Sequence, residues 1–103
     1  PGQTILDIGC GWGGLARYLH KVSGAHVTGI TLSEEQLKYA RAEAARQGLT
    51  GVDYQLIDYR QMTGQFDRIV SVGMFEHVGL PHYRQFFDAV EHLLKPDGVA
   101  LLH

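Results

Sequence analysis

A single α/β domain over residues 1–103, built on a parallel sheet with helices on both faces, is the fold class that the sequence predicts. Three observations predict it. Short apolar runs alternate with helical patterns at intervals of roughly 10–15 residues, the spacing of right-handed βαβ crossovers. Several of the 13 glycines fall where an apolar run gives way to a helical pattern, the junctions at which backbone amides meet ligands in such folds. The length of 103 residues, with 45% apolar and 19% charged residues, suits one packed core and not the high-charge, low-hydrophobicity pattern of disorder.

The elements follow in order. Thr4-Ile5-Leu6-Asp7-Ile8 is a short apolar run closed by glycines, as expected of a buried parallel strand. Leu15, Leu19 and Val22 then recur at helical spacing until Gly24. His26 to Ile30 predicts a second strand, and Ser33-Glu34-Glu35-Gln36 has the S-x-x-Q form of a capping box. Leu37, Ala40 and Ala44 mark the inner stripe of that helix, with Gly48 just past its end. Val52 to Ile57 and Phe66 to Val72 predict the third and fourth strands, separated by the turn material Thr63-Gly64. Phe86, Phe87, Val90, Leu93 and Leu94 outline a helix ending before Lys95-Pro96-Asp97-Gly98, and Val99 to Leu102 begins a fifth strand. The pattern is a Rossmann-like sheet truncated after its fifth strand.

Composition excludes several classes of function. Nine Lys and Arg against 11 Asp and Glu give a net charge of −2, and no basic cluster offers the positive face that a nucleic-acid backbone requires. No nucleic-acid partner is expected. The single cysteine, Cys10, has no internal disulfide partner, and no run approaches the roughly 20 apolar residues that span a bilayer. A soluble cytoplasmic setting is the expectation. The chain opens on Pro1-Gly2 and stops within the apolar Leu101-Leu102-His103, so it reads as a piece of a longer protein.

Ligands of open parallel sheets bind beyond the carboxyl ends of the strands, so the strand-to-helix junctions carry the chemistry. The first is Asp7-Ile8-Gly9-Cys10-Gly11-Trp12-Gly13-Gly14. Its glycines permit close backbone approach, and the helix behind it offers free N–H groups. Gly9, Gly11 and Gly14 satisfy G-x-G-x-x-G, which raises nicotinamide or flavin dinucleotides. Asp7 ahead of the glycines, and Gly29-Ile30-Thr31-Leu32 where an acidic ribose ligand is expected, weigh against that reading. The second junction therefore holds a ribose, if at all, through neutral groups: the Thr31 hydroxyl and the Gln36 amide. For Gln36 the capping role stays equally open. The third junction, Asp58-Tyr59-Arg60, supplies an acceptor for adenine amino hydrogens at Asp58 and a ring beside which a base can stack at Tyr59.

The fourth junction, Ser71-Val72-Gly73-Met74-Phe75-Glu76-His77-Val78-Gly79, sets a carboxylate, Glu76, beside a histidine, His77, among apolar residues at a strand end. His103, closing the fifth strand, belongs near Glu76 if the two strands are neighbours. Acid-base work or capture of a small ion are both open. One Glu and two His on different strands lack the dense spacing of a metal motif, so no metal is expected. The remaining histidines, among them His20 and His92, read as surface residues.

Taken together, the first motif, Gly29-Ile30-Thr31-Leu32-Ser33, Asp58-Tyr59-Arg60, Val72 to Gly79 and Leu94-Lys95-Pro96-Asp97-Gly98 through His103 resemble the cyclopropane-fatty-acyl-phospholipid synthases and the mycolic acid cyclopropane synthases. Asp-x-Gly-x-Gly-x-Gly alone resembles motif I of class I S-adenosylmethionine-dependent methyltransferases. The resemblance covers essentially the whole chain and implies S-adenosylmethionine as cofactor, with methylene transfer to a cis double bond of a phospholipid acyl chain. It further implies that Gly9 and Gly11 meet the methionine end, Thr31 and Gln36 the ribose, and Tyr59 and Arg60 the adenine. Glu76 and His103 are implied as ligands of a bicarbonate ion acting as base, with apolar Met74, Phe75 and Val78 keeping water from a cationic intermediate. Some relatives carry Trp-Glu where this chain has Tyr59-Arg60. Unsaturated phospholipids at a peripheral membrane surface are the implied partners. The rival readings are a C-methyltransferase on the same cofactor, a nicotinamide-dependent oxidoreductase and a non-catalytic binding module.

Overall fold

The computed structural model describes residues 2–72 and 83–102. Strand β1 (Thr4–Ile8) leads to helix α1 (Gly14–Ser23), β2 (His26–Thr31) to α2 (Glu34–Arg46), and β3 (Val52–Leu56) to a single 3-10 turn (Tyr59–Gln61). Then follow β4 (Phe66–Ser71), α3 (Tyr83–Leu93) and β5 (Leu94–Leu102). All neighbours pair in parallel, in the order β3-β2-β1-β4-β5. The chain thus winds outward from β1 through β2 to β3 and then crosses back to β4. That reversal leaves a crevice beyond the carboxyl ends of β1 and β4, where ligands of doubly wound sheets bind.

Side chains alternate across β1, and the alternation builds two cores. Ile5 packs with Val27, Tyr54, Ala16, Leu37, Ala40 and Ala44 under α1 and α2. Leu6 and Ile8 face the other way, with Ile30, Ile69, Phe86, Val90 and Leu93 under α3. Helices therefore cover both faces, as the sequence predicts. Burying each such Leu, Ile or Phe contributes about 1.5–3 kcal/mol relative to exposure. Asp7 shares its parity with Ile5, so its carboxylate lies on the face covered by α1 and α2.

Local detail departs from the sequence pattern at α1 and α3. Leu15 and Val22 are exposed, and α1 instead buries Ala16 and Arg17. The small Ala16 lets the helix settle on the sheet, while Arg17 is drawn inward by a 3.0 Å bond from its Nη1 to the Trp12 carbonyl. In α3, Phe86 is buried and Phe87 exposed, because adjacent helical residues lie about 100° apart and cannot both face the sheet. Leu94 does not extend that helix. It opens β5 opposite Phe66. His20 is half-buried, not a surface residue, with Nδ1 2.7 Å from the Ala25 carbonyl. Among the described residues no helix is long and apolar enough to cross a membrane.

Candidate cofactor site at the carboxyl edge of the sheet

Beyond β1 the backbone turns through Gly9 (φ 71°), Gly11 (φ 57°) and Gly13 (φ 86°), all in the left-handed region where L side chains are strained. Two hydrogen bonds tie the turn down: the Cys10 N–H donates to the Ile30 carbonyl at 2.9 Å, and the Gly13 N–H to the Cys10 carbonyl at 3.0 Å. A Cβ on Gly11 would meet nothing within 4 Å, whereas one on Gly13 would lie 2.7 Å from the Tyr54 hydroxyl and 2.8 Å from the Ala40 Cβ. The turn is open on its outer rim and closed beneath. Helix α1 starts there without a side-chain cap, leaving backbone donors at its positive end.

Under this turn lies Asp7, 2% exposed, with its Oδ2 lacking a hydrogen-bond partner among the described residues. Burial pushes its carboxyl up to about 7. Across the crevice the Ser71 Oγ, at the end of β4, is buried and has no partner among the described residues. Unpaired buried polar atoms are costly, and a ligand that brings donors or positive charge would satisfy both. The Cys10 thiol is pushed up to about 12 by burial and then by the Asp7 charge, which removes it as a nucleophile at neutral pH.

Thr31 ends β2 and is buried. Its hydroxyl donates to Gln36 Oε1 at 3.2 Å and accepts from the Ser33 N–H at 3.1 Å. The Ser33 hydroxyl in turn accepts from the Gln36 N–H at 3.2 Å. Only half of the capping box forms, because Thr31 takes the Ser33 N–H that the Gln36 side chain would otherwise cap. Thr31 instead orients the Gln36 amide, whose Nε2 has no partner among the described residues.

Asp58 caps the 3-10 turn and accepts from the Arg60 N–H at 2.9 Å. The Arg60 guanidinium also grips both carboxylate oxygens, through Nε at 3.1 Å and Nη2 at 2.6 Å. These hydrogen bonds hold the Asp58 carboxyl below its usual range. An adenine amino group reaching Asp58 would share the carboxylate with these three Arg60 donors. Tyr59 is half-buried, with its ring edge-on to Phe86 at 5.1 Å.

Register aligns Asp7 with Gly29 and Gly29 with Tyr54, while the Ile57 N–H donates to the Thr31 carbonyl at 3.1 Å. Asp7, Gly9, Gly11, Thr31, Gln36 and the Asp58-Tyr59-Arg60 segment thus follow the carboxyl ends of three adjacent strands. Glu76 and His103 lie outside the described residues. The strands leading to them are neighbours, with Ser71 opposite Leu102. Ser71 opened the fourth junction without being singled out there, and Arg17 and Tyr54, which pack beneath the glycine turn, carried no motif. Among the described residues no group of three or more His, Cys, Asp and Glu could hold a metal ion.

A sheet of this order with this glycine turn is the fold of class I S-adenosylmethionine-dependent methyltransferases. The crystal structure of a mycolic acid cyclopropane synthase complexed with SAH and CTAB matches it with a TM-score of 0.92 and 39% identity, over 99% of this chain and 36% of that one. The sequence profile described as mycolic acid cyclopropane synthetase matches residues 1–103, and the chain belongs to that family. The cyclopropane-fatty-acyl-phospholipid synthase of Escherichia coli K12 is 52% identical over 103 residues, 100% of this chain and 26% of the relative. A probable fatty acid methyltransferase of Pseudomonas putida is 46% identical over 105 residues, 99% of this chain and 27% of the relative. The chain therefore spans about a quarter of the length of these curated relatives.

Proposed function

We propose that residues 1–103 form the cofactor-binding core of a longer enzyme that adds a methylene unit from S-adenosylmethionine to a cis double bond of a phospholipid acyl chain, giving a cyclopropane fatty acid. The observation that carries the cofactor assignment is Asp7, whose buried Oδ2 has no partner among the described residues and lies under an open glycine turn at the strand-order reversal. A ligand with a cationic, donor-rich end answers that demand. When bound, the cofactor supplies an electrophilic methyl carbon on a sulfonium. Asp7, Gly9 and Gly11 would take its methionine end, Thr31 and Gln36 the ribose hydroxyls, and Asp58, Tyr59 and Arg60 the adenine.

Glu76 and His103 would hold a bicarbonate ion that serves as the base. A carboxylate and an imidazole match its hydroxyl donor and its acceptor oxygens. Acyl chains of phospholipids are reached at a bilayer surface, so the whole protein would be cytoplasmic and act peripherally on the inner membrane face. Family membership and the 52% identity to a cyclopropane-fatty-acyl-phospholipid synthase support this reading.

The Pseudomonas putida relative, named as a probable fatty acid methyltransferase, supports a second outcome on the same cofactor: a methyl or methylene branch. Mass spectrometry of lipids from cells expressing the full-length gene separates the two. Cyclopropanation yields acyl chains one CH₂ heavier and one alkene fewer. A product heavier by the same CH₂ that still carries its alkene would overturn it in favour of branching.

A further inference from the structure

Tyr54 sits in the middle of β3, 1% exposed, and no motif singles it out. Its hydroxyl donates to the Gly13 carbonyl at 2.7 Å. The ring lies so close beneath the turn that a Cβ on Gly13 would come within 2.8 Å of its Cε1, and one on Gly29 within 2.9 Å of its Cδ1. Two glycines on two different elements are thus matched to one aromatic side chain. The buried Arg17, whose charge lies close enough to the Tyr54 hydroxyl to act on it, binds the carbonyl of Trp12, one residue earlier, at 3.0 Å. Successive carbonyls of the turn are therefore each held by a buried side chain. The backbone of Tyr54 is fixed in turn by Arg41, whose Nη2 donates to the Tyr54 carbonyl at 2.9 Å.

The consequence follows from peptide geometry. No peptide bond among the described residues is cis, so the N–H of Gly14 points opposite to the carbonyl of Gly13. Gly14 is the first residue of α1, and Gly13, in the left-handed conformation, provides no side-chain cap. Whatever fixes the Gly13 carbonyl also fixes the direction of the leading N–H of α1. The Gly13 carbonyl has two donors, the Arg17 N–H of α1 at 3.1 Å and the Tyr54 hydroxyl; in a permissive glycine turn the first-turn helix bond alone leaves the peptide more room to tilt than the two together.

We infer that Tyr54 is a positioning residue of the proposed cofactor site, holding the peptide between Gly13 and Gly14 from below so that the turn is preorganised for S-adenosylmethionine, with Arg17 as the second anchor. The inference rests on the reading of the glycine turn as the cofactor site. Burial raises the Tyr54 phenol above its ordinary value, so the hydroxyl keeps its proton and remains a donor at physiological pH. Loss of the anchor lowers the fraction of molecules with a competent turn, and apparent affinity falls by that fraction.

The test uses the full-length protein, with calorimetric binding of S-adenosylhomocysteine and steady-state kinetics in S-adenosylmethionine. Tyr54→Phe removes only the hydroxyl and is expected to raise the dissociation constant and KM about fivefold, with kcat at saturation within about twofold of wild type. Arg17→Lys, which gives up the guanidinium fork, shifts both constants the same way by about twofold. Val90→Ala, in the core on the opposite face of the sheet, lowers Tm while leaving cofactor affinity unchanged. That contrast separates positioning from general destabilisation. Wild-type affinity in folded Tyr54→Phe, or in Arg17→Lys should Tyr54→Phe not fold, overturns the inference while the cofactor site stands. Absence of binding to the wild-type protein overturns the site itself and the inference with it.

Discussion

The two edges of the sheet treat a buried or half-buried carboxylate in opposite ways. At the amino edge, Asp67 accepts from the Thr4 N–H at 2.8 Å, from the Thr4 hydroxyl at 3.2 Å and from Lys95 Nζ at 3.3 Å. Those partners, the Thr4 N–H foremost, hold its carboxyl below the usual range. At the carboxyl edge, on the adjacent strand, Asp7 is more deeply buried, has an oxygen without a partner among the described residues and is pushed up to about 7. One edge closes its polar groups within the chain. The other leaves a demand that a ligand can meet, and such unmet demand with a shifted pKa is a mark of functional positions.

The contrast breaks most sharply at Asp7→Asn. Folding raises the Asp7 carboxyl from an ordinary 3.8 to about 7, so between those values the folded state binds more protons than the unfolded state. Stability must then fall as pH rises from about 4 to 7 and level off above, by up to roughly 4 kcal/mol if the whole shift is realised. Asparagine has no charge to bury. In the full-length protein without cofactor, Asp7→Asn should therefore be more stable than wild type at pH 8, and chemical denaturation at pH 5 and pH 8 should show its slope flattened. Cofactor binding should change in the other sense. Wild-type affinity for S-adenosylhomocysteine should strengthen from pH 6 to 8 as Asp7 ionises, whereas the variant should bind about tenfold more weakly at pH 8. A variant less stable than wild type at pH 8 contradicts the assignment.

Gly13→Ala and Gly11→Ala sharpen the comparison within the carboxyl edge. Both positions have positive φ, but only a Gly13 Cβ collides with Tyr54 and Ala40. Backbone strain alone costs about 1–2 kcal/mol, and overpacking adds roughly 1–3 kcal/mol. Thermal or urea denaturation should thus rank Gly13→Ala as clearly more destabilising than Gly11→Ala. Equal losses would mean that Tyr54 does not pack against the turn.

What the sequence made legible is what depends on near neighbours. The strand after strand alternation, the Leu37-Ala40-Ala44 stripe of α2 and Gly48 beyond its end all rest on spacing over a few residues, and the structure has them in place. The pattern held only in part at α1, where Leu19 packs against the core but Leu15 and Val22 face outward and Ala16 faces the sheet, because the close approach of helix and sheet selects a small inner residue. At the site, Asp7 and the glycines stood out as a motif. The long-range pairs did not: Tyr54 reaches Gly13 at the site across 41 positions, and Asp67 reaches Thr4 at the amino edge across 63, and no local pattern records such pairs.

The smallest effect belongs to the amino edge, and it tests whether the two edges are independent. Asp67→Asn leaves the side chain its shape but weakens the bonds to the Thr4 N–H and to Lys95. Because the folded carboxyl is held below its unfolded value, the stabilisation it provides is present above the unfolded pKa and is lost as pH falls through the folded one. The variant should therefore show a modestly lower Tm than wild type at pH 7, with the difference shrinking as the pH is taken below the ordinary carboxylate range. Affinity for S-adenosylhomocysteine should not change, since Thr4 and Asp67 sit at the far end of β1 and β4 from the glycine turn. Were affinity to fall with Tm, the carboxyl edge would owe its geometry to the whole length of these strands, and preorganisation of the turn could no longer be assigned to Tyr54 and Arg17 alone.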